Sequence, residues 1–244
     1  MSAQELKQMI EKAGRIVAFT GAGISAESGI PTYRGADGVW NKYDPNKYAN
    51  VNYFLQEPSY YWNFFREVRY QVLKQAKPNE GHKALARLEE RGLLKAVITQ
   101  NVDGLHQEAG SKNVLELHGN TRKIICLDCG KSYGIDEVRE QVETELPPPC
   151  RSCGGMLKPD VVLFGEALPA ETLEQATEES RSCDLFISVG SSLVVQPAAS
   201  MPVIAKRAGA ALVIVNQDAT PLDKQADLVI RESASAVLSE AVQE

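Results

Sequence analysis

Six short runs of apolar and β-branched residues punctuate the chain, over 15–20, 93–99, 113–118, 184–190, 211–215 and 226–230. Most are nearly free of charge, and their length of four to eight residues fits strands buried on both faces rather than on one. Between them lie stretches with helical spacing. Leu6, Met9, Ile10 and Ala13 mark the first, and others run over 78–92, 173–182, 201–208 and from 235 onwards. Strand and helix in alternation predict right-handed crossovers and a mainly parallel, Rossmann-like sheet, an α/β fold. Two insertions break this rhythm. The stretch 35–76 is crowded with aromatic residues, and 122–157 carries four of the five cysteines before strand character returns over 156–166. The predicted organisation is a nucleotide-binding domain from 1–34, 77–121 and 158–244. A helical module (35–76) and a cysteine ribbon (122–157) form a smaller lobe, and the cleft between the lobes is the expected binding site.

The strand ends carry the candidate chemistry. The run over 15–20 leads into Gly21-x-Gly23-x-x-Ala26, the Gly-Ala form of the dinucleotide fingerprint. There Gly21 would allow a tight turn, Gly23 a close approach of backbone N–H groups to a pyrophosphate, and Ala26 close packing of a helix onto the strand. The helix that should follow is cut short at Gly29-Ile-Pro31, because the residue before a proline avoids the α conformation. A loop with a cation and aromatics comes next, Tyr33-Arg34-Gly35 and Asp37-Gly38-Val39-Trp40, placed to close over a bound nucleotide or simply to lie on the surface. The strand over 93–99 delivers Gln100, Asn101 and Asp103, a polar cluster suited to holding a ligand at a strand's carboxyl end. A second small-residue turn, Gly190-Ser191-Ser192, follows the strand over 184–190.

Composition narrows the classes. The 244 residues, 43% hydrophobic, suffice for a full core in one large or two unequal domains. A net charge of −6 argues against nucleic acid as the main partner. No apolar stretch is long enough to cross a membrane and no signal-peptide core precedes Arg15, so a cytoplasmic location is expected. Cys126-x-x-Cys129 and Cys150-x-x-Cys153, 20 residues apart and each followed by glycine, match a four-cysteine zinc ribbon. With every coordination position supplied by protein, that zinc is structural. Cys183 reads as a small buried residue with a free thiol.

Of the three histidines, His82 and His106 read as structural. His118 ends one strand and enters the cysteine segment, a placement that suits a general base with a pKa near ~6.5. The aromatic stretch, with Pro58 opening a helix through Phe64 to Leu73, reads mainly as a satellite hydrophobic cluster.

Taken together these residues resemble the sirtuins, the NAD-dependent protein-lysine deacylases. The likeness runs through Gly21 to Arg34, Gln100-Asn-Val-Asp103, Leu117-His-Gly119, both cysteine pairs, Gly190-Ser-Ser-Leu193 and Val213-Ile-Val-Asn216, in family order along the whole chain. The resemblance implies NAD⁺ as a consumed co-substrate and one structural zinc. Its cofactor site would take Gly21, Ala22, Gly23, Glu27, Thr32, Tyr33, Arg34 and Trp40 from the first turn and loop. Gln100, Asn101 and Asp103 would hold nicotinamide and ribose, with Asn101 also counted as catalytic. Gly190, Ser191, Ser192, Asn216, Gln217 and Asp218 would hold the phosphates and adenosine ribose. His118 matches the catalytic base, and Val161, Phe164, Gly165, Glu166 and Val194 match the slots where a peptide backbone adds as a strand. The implied reaction moves the acetyl group of acetyl-lysine in a protein or peptide to ADP-ribose. Nicotinamide, O-acetyl-ADP-ribose and free lysine are the products.

One departure concerns the acyl group. Members that prefer succinyl or malonyl lysine carry Tyr-x-x-Arg in the aromatic module, where this chain has Asn63-Phe-Phe-Arg-Glu-Val-Arg69. An apolar pocket is therefore expected, with Arg66 or Arg69 the groups able to reach inward. Two other readings compete: ADP-ribosyl transfer to proteins at the same site, and a non-catalytic zinc-ribbon interaction module.

Overall fold

A computed structural model describes residues 2–36 and 38–243. Of the loop expected over 37–40, Asp37 lies outside the described residues, as do Met1 and Glu244 at the ends of the predicted domain. The large sheet contains β1 (Ile16–Thr20), β2 (Leu94–Thr99) and β3 (Val114–Glu116). A smaller one is built from β4 (Gly119–Cys126), β5 (Ser132–Gly134) and β6 (Leu157–Val161). The large sheet is completed by β7 (Leu185–Val189), β8 (Ala211–Val215) and β9 (Leu228–Ile230). Its order is β3-β2-β1-β7-β8-β9 and every pairing is parallel.

The charge-free strands are what burial on both faces requires. In β1, Ile16 and Ala18 join a core with Leu6, Ile10, Leu85, Leu88 and Leu238, under the helices Ser2–Lys12, Glu80–Glu90 and Ala234–Val242. Val17 and Phe19 point the other way, to Phe186, Met201 and Ala205 beneath Ala170–Ser182 and Met201–Arg207. Alternation of side chains along the strand thus feeds two cores from five residues. Because β2 and β7 flank β1 on opposite sides, the chain reverses direction across the sheet there. A crevice lies outside the carboxyl ends of β1 and β7, the standard ligand position of this architecture.

The small sheet is antiparallel, in the order β5-β4-β6. The strand character read over 156–166 thus belongs to a strand paired with the cysteine segment. An aromatic core joins this sheet to the helical stretch: Trp62, Phe65 and Tyr70 pack with Ile124, Tyr133 and Leu157. Trp62 Nε1–H donates to the Leu157 carbonyl at 3.1 Å. The helix opened by Pro58 runs to Phe64, passes through a π-turn over Phe65–Tyr70 and ends at Leu73. Among the described residues no helix is long and apolar enough to cross a membrane.

Gly119 is the join between His118 and the small sheet. Its φ is +74°, and a Cβ there would stand 2.0 Å from the Asp160 carbonyl oxygen on β6. Both the backbone strain and the close approach demand glycine. A Gly119→Ala variant is expected to lose about 2–4 kcal/mol of unfolding free energy, read as a lowered urea midpoint; a loss below about 0.5 kcal/mol would show that β4 and β6 separate freely.

Candidate active site

The site begins where β1 and β7 end. Gly21 N–H donates to Val189 O at 3.0 Å and Gly23 N–H to Gly190 O at 2.9 Å, so the two turns are bonded to each other. A Cβ on Gly23 would lie 2.6 Å from Gly190 Cα, and one on Gly190, at φ +62°, would lie 2.3 Å from Ile24 N. Gly21 has an extended backbone, at φ −130°. The need for glycine is therefore contact between the two turns, backbone on backbone, more than a tight turn at Gly21. The helix after Gly21 is a 3₁₀ segment, Ala22–Ser28, ended by Gly29 at φ +84°. Its early stop is as the Gly-Ile-Pro sequence predicts.

Behind the turns lies a buried polar network. Gln100 Nε2–H donates to Ser191 Oγ at 2.8 Å, tying the β2 and β7 ends together. Asn101 Nδ2–H reaches Gly21 O and Ser25 Oγ, each at 3.1 Å. Ser25 Oγ–H donates to Asp103 Oδ2 at 2.8 Å, and Leu105 N–H donates to Asp103 Oδ1 at 2.9 Å. Asp103 is thus held inside the protein, and burial raises its pKa above the usual carboxylate value despite those donors. With its own proton given to Asp103, Ser25 accepts from His82 Nε2–H at 3.3 Å. His106 sits against His82, ring centroids 4.9 Å apart, and its Nε2 meets Thr20 Oγ1 at 2.9 Å. Burial lowers the His82 pKa to about 4 and holds His106 well below its ordinary value. Both histidines are therefore neutral structural groups, yet they stand directly behind the site.

The cation-bearing loop is folded. Val39 N–H donates to Thr32 O at 2.9 Å, Trp40 N–H to Tyr33 O at 3.1 Å, and the Tyr33 and Trp40 rings stack at 5.1 Å. From the helical stretch, the Arg69 guanidinium lies over the Tyr33 ring at 5.5 Å and donates to Tyr61 Oη at 3.3 Å. Burial lowers the Arg34 pKa from its ordinary value, so part of its charge is withdrawn from water.

His118 faces the same space from β4's leading end. Its Nδ1 lies 3.1 Å from Gln100 O. A carbonyl can only accept, so Nδ1 carries the hydrogen and Nε2 keeps its lone pair. Burial lowers the His118 pKa, more than the Gln100 contact raises it. The opposite wall is the segment from Val161 to Glu166. Val162 N–H donates to His118 O at 2.9 Å, while Phe164 exchanges bonds with Ala49 and Val51 at 2.7 and 3.0 Å.

One cleft of about 580 Å³ is lined by both turns, the Tyr33 and Arg34 loop, Gln100, Asn101, His118 and the segment over 161–166, within the size range of small-molecule sites. Every residue expected for the nucleotide lines it except Asp103, and every residue expected for the peptide except Val194. Asp103 lines a smaller side cavity that Asn101 and Arg69 share. Val194 is 49% exposed, outside the cleft wall. Val161 is 4% exposed and packs in the small-lobe core. Ser25, Val162 and Lys158 are not singled out by the sequence as site residues, whereas Arg69, expected as a group able to reach inward, lines the cleft and Arg66 does not. Ser25 offered a signal in its place inside the first turn, and Lys158 in being the one cation of an apolar strand.

The four ribbon cysteines converge. Their Sγ atoms all lie within 4.8 Å of one another, with Cys126–Cys153 at 3.6 Å and Cys129–Cys150 at 3.8 Å. A tetrahedral Zn²⁺ with bonds of about 2.3 Å needs edges of about 3.8 Å. Backbone N–H groups of Cys129, Ser152 and Gly155 point at Cys126, Cys150 and Cys153 Sγ at 3.4–3.5 Å. Tyr133 Oη lies 3.1 Å from Cys150 Sγ, and its hydroxyl can support that sulfur as a ligating thiolate. The donor set fits one zinc with no open position. Cys183 is buried, and burial pushes its thiol up to about 11.

Comparison with known proteins agrees with this geometry. Residues 21–197 match the family model described as the Sir2 family. The NAD-dependent protein deacylase 2 of Archaeoglobus fulgidus is 50% identical over 238 residues, 97% of this chain and 93% of that protein. The NAD-dependent protein deacetylase of Sulfolobus acidocaldarius is 50% identical over 241 residues, covering 98% and 94%. A Sir2 structure solved with deacetylated p53 peptide and 3′-O-acetyl ADP ribose superposes with a TM-score of 0.94. It is 41% identical, over 98% of this chain and 97% of that one.

The histidine pair makes stability depend on pH. The imidazoles are neutral when folded and have a pKa near ~6.5 when unfolded, so the unfolded state binds more protons below that value. Stability is full above pH 6.5 and falls as pH drops toward 4, with a slope approaching roughly 1.4 kcal/mol per pH unit for each histidine. A His82→Asn variant should show a shallower fall in urea midpoint between pH 7 and pH 5 than the parent; equal slopes would contradict a neutral, buried His82.

Proposed function

The chain belongs to the Sir2 family, and from that premise we propose that it is an NAD-dependent protein-lysine deacetylase. It transfers the acetyl group of acetyl-lysine to ADP-ribose and releases nicotinamide, O-acetyl-ADP-ribose and the free lysine. The observation that carries this reading is His118. Its ring is oriented by Gln100 O with the basic Nε2 left to act in a cleft that also holds both glycine turns and Asn101.

In this reading NAD⁺ is a substrate held along the β1 and β7 turns, with Arg34 toward its phosphates; the N–H groups of Gly21, Gly23 and Gly190 are spent on neighbouring carbonyls. Asn216, Gln217 and Asp218 meet the adenosine ribose. Their loop is braced by Arg231, which donates to Asn216 O and Asp218 O at 2.8 Å. The folded Tyr33–Trp40 loop excludes water from the ribose, where a cationic centre develops as nicotinamide leaves. Gln100 and Asn101, locked by Ser191, Ser25 and Gly21, hold fixed dipoles toward that centre. His118 Nε2 accepts the proton of the ribose hydroxyl that attacks the acyl carbon. An acylated lysine is neutral and long, so the apolar wall made by Phe164 and its neighbours suits it better than a charged one. The ribbon and its zinc are placed away from the chemistry, as a structural support.

A second reading concerns acyl choice. Acetyl and longer apolar chains are preferred, because phenylalanine stands where acid-preferring relatives carry tyrosine. One observation favours some acceptance of acidic chains as well: the Nε of buried Arg69 has no partner while its side chain lines the cleft.

Mass spectrometry of an acetyl-lysine peptide should show acetyl loss matched by nicotinamide release, only with NAD⁺. His118→Ala should cut turnover about 10²–10⁴-fold and leave NAD⁺ affinity nearly unchanged; equal turnover would remove His118 from its role. With the base needed neutral, activity should be flat above pH 7 and fall on the acid side with a midpoint below 6.5. A succinyl-lysine peptide should react more slowly than its acetyl counterpart, and Arg69→Met should remove what succinyl activity exists. Equal rates for the two peptides would overturn the apolar preference.

A further inference from the structure

The wall of the cleft opposite the nucleotide turns rests on a lysine that is almost wholly buried. Lys158, on β6, is 4% exposed, and its side chain alone 5%. A buried ammonium is tolerated only when its charge and its donors are satisfied. Here Nζ donates to Val161 O at 2.6 Å and pairs with Glu166 Oε2 at 3.0 Å. The same Glu166 oxygen accepts from Leu163 N–H at 2.7 Å, and Glu166 N–H returns to Leu163 O at 3.0 Å. The loop is thereby closed on itself: strand end, turn and carboxylate are all gripped from beneath by one cation.

We propose that Lys158 and Glu166 are positioning residues for the acyl-peptide, a buried clasp that shapes the loop over 161–166 against which the peptide lies. The inference deepens the proposed deacetylase reading and rests on it. The carboxylate of Glu166 points inward to the clasp, so its contribution to a peptide is through Leu163 and the loop it shapes. Between the two clasped ends lies Val162, whose N–H is spent on His118 O at 2.9 Å. Next to it, Phe164 spends its N–H on Ala49 O and its carbonyl on Val51 N–H, at 2.7 and 3.0 Å. With these groups taken and Val161 O held by Lys158, the hydrogen-bonding pattern left to an incoming strand is set by the clasp. A loosened loop would shift that register and move Phe164, which is 42% exposed in the cleft wall. The nucleotide turns at β1 and β7 make none of these contacts, so NAD⁺ binding is separate from them.

The test uses the full-length, zinc-loaded protein with NAD⁺ and an acetyl-lysine peptide, and measures both KM values for Lys158→Met, Lys158→Arg and Glu166→Gln. Peptide KM is expected to rise ten-fold or more in Lys158→Met while NAD⁺ KM stays within two-fold. Lys158→Arg should bring peptide KM back to within three-fold of the parent, and Glu166→Gln should fall between. A merely structural lysine would lower the active fraction and leave both KM values alone. The clasp is overturned by that result, by KM values that move together, or by an arginine variant no better than the methionine one. Should Lys158→Met fail to fold, Glu166→Gln decides by the same split. Binding of a fluorescent acetyl-lysine peptide is measured alongside. A parent protein that binds the peptide without turnover removes the deacetylase reading and leaves the clasp to the affinities of the variants; one that does neither removes both.

Discussion

Two turns that touch backbone to backbone set the geometry of everything else in the cleft. Gly23 and Gly190 approach so closely that a Cβ on either would collide with main-chain atoms of the other turn. Main-chain atoms cannot step aside as a side-chain tip can, so the constraint is rigid. It fixes the separation of the β1 and β7 ends, and with it the width of the crevice in which phosphates would lie. Asn101 is registered to the same point through Gly21 O, and Gln100 through Ser191. Gln100 and Asn101 thus inherit their position from the glycine packing through their own side-chain amides.

A second consequence concerns charge. A nucleotide site commonly relies on cations, yet the chain is acidic overall and few cations line the cleft. Order comes from donors and acceptors paired behind the wall: Ser25 to Asp103, His82 to Ser25 and His106 Nε2 to Thr20, with His106 Nδ1 left without a partner. A network so largely paired is stiff, and in the proposed reaction it leaves little dipole to reorganise as charge develops at a ribose carbon. The cost is that its histidines must stay neutral, which ties the integrity of the site to pH.

Much of the fold could be read from the chain, because buried parallel strands leave a plain signature of short apolar runs. All six runs became strands of the large sheet, and the cysteine spacing led directly to four convergent sulfurs. What periodicity cannot carry is partnership between distant segments. That 156–166 pairs with the cysteine strand depends on Gly119 lying against Asp160, a contact between residues 41 apart. The site showed the same division. His118, Gln100 and Asn101 stood out by residue type at strand ends, whereas His82 and His106 looked ordinary. Their place behind Ser25 arises only when helix Glu80–Glu90 and the segment after β2 are folded together. Asp103 combined both lessons, a carboxylate in a promising loop that spends its oxygens on Ser25 and on its own turn.

The two halves of the cleft differ in how they are held, and that difference has a functional logic. The nucleotide half is braced by backbone contacts within one large sheet, which suits a ligand of constant shape. The proposed peptide half is braced by side chains: an ion pair beneath 161–166, and Trp62 bonded to Leu157. Side-chain braces can be retuned by single substitutions without disturbing the main chain of the sheet. His118 stands between them, its ring set by Gln100 of the large sheet and its carbonyl bound by Val162 of the small one. In the proposed reaction, a base mounted on both halves is aimed correctly only when both are in place, so the same two hydrogen bonds that orient the His118 segment also couple its alignment to the proposed peptide wall.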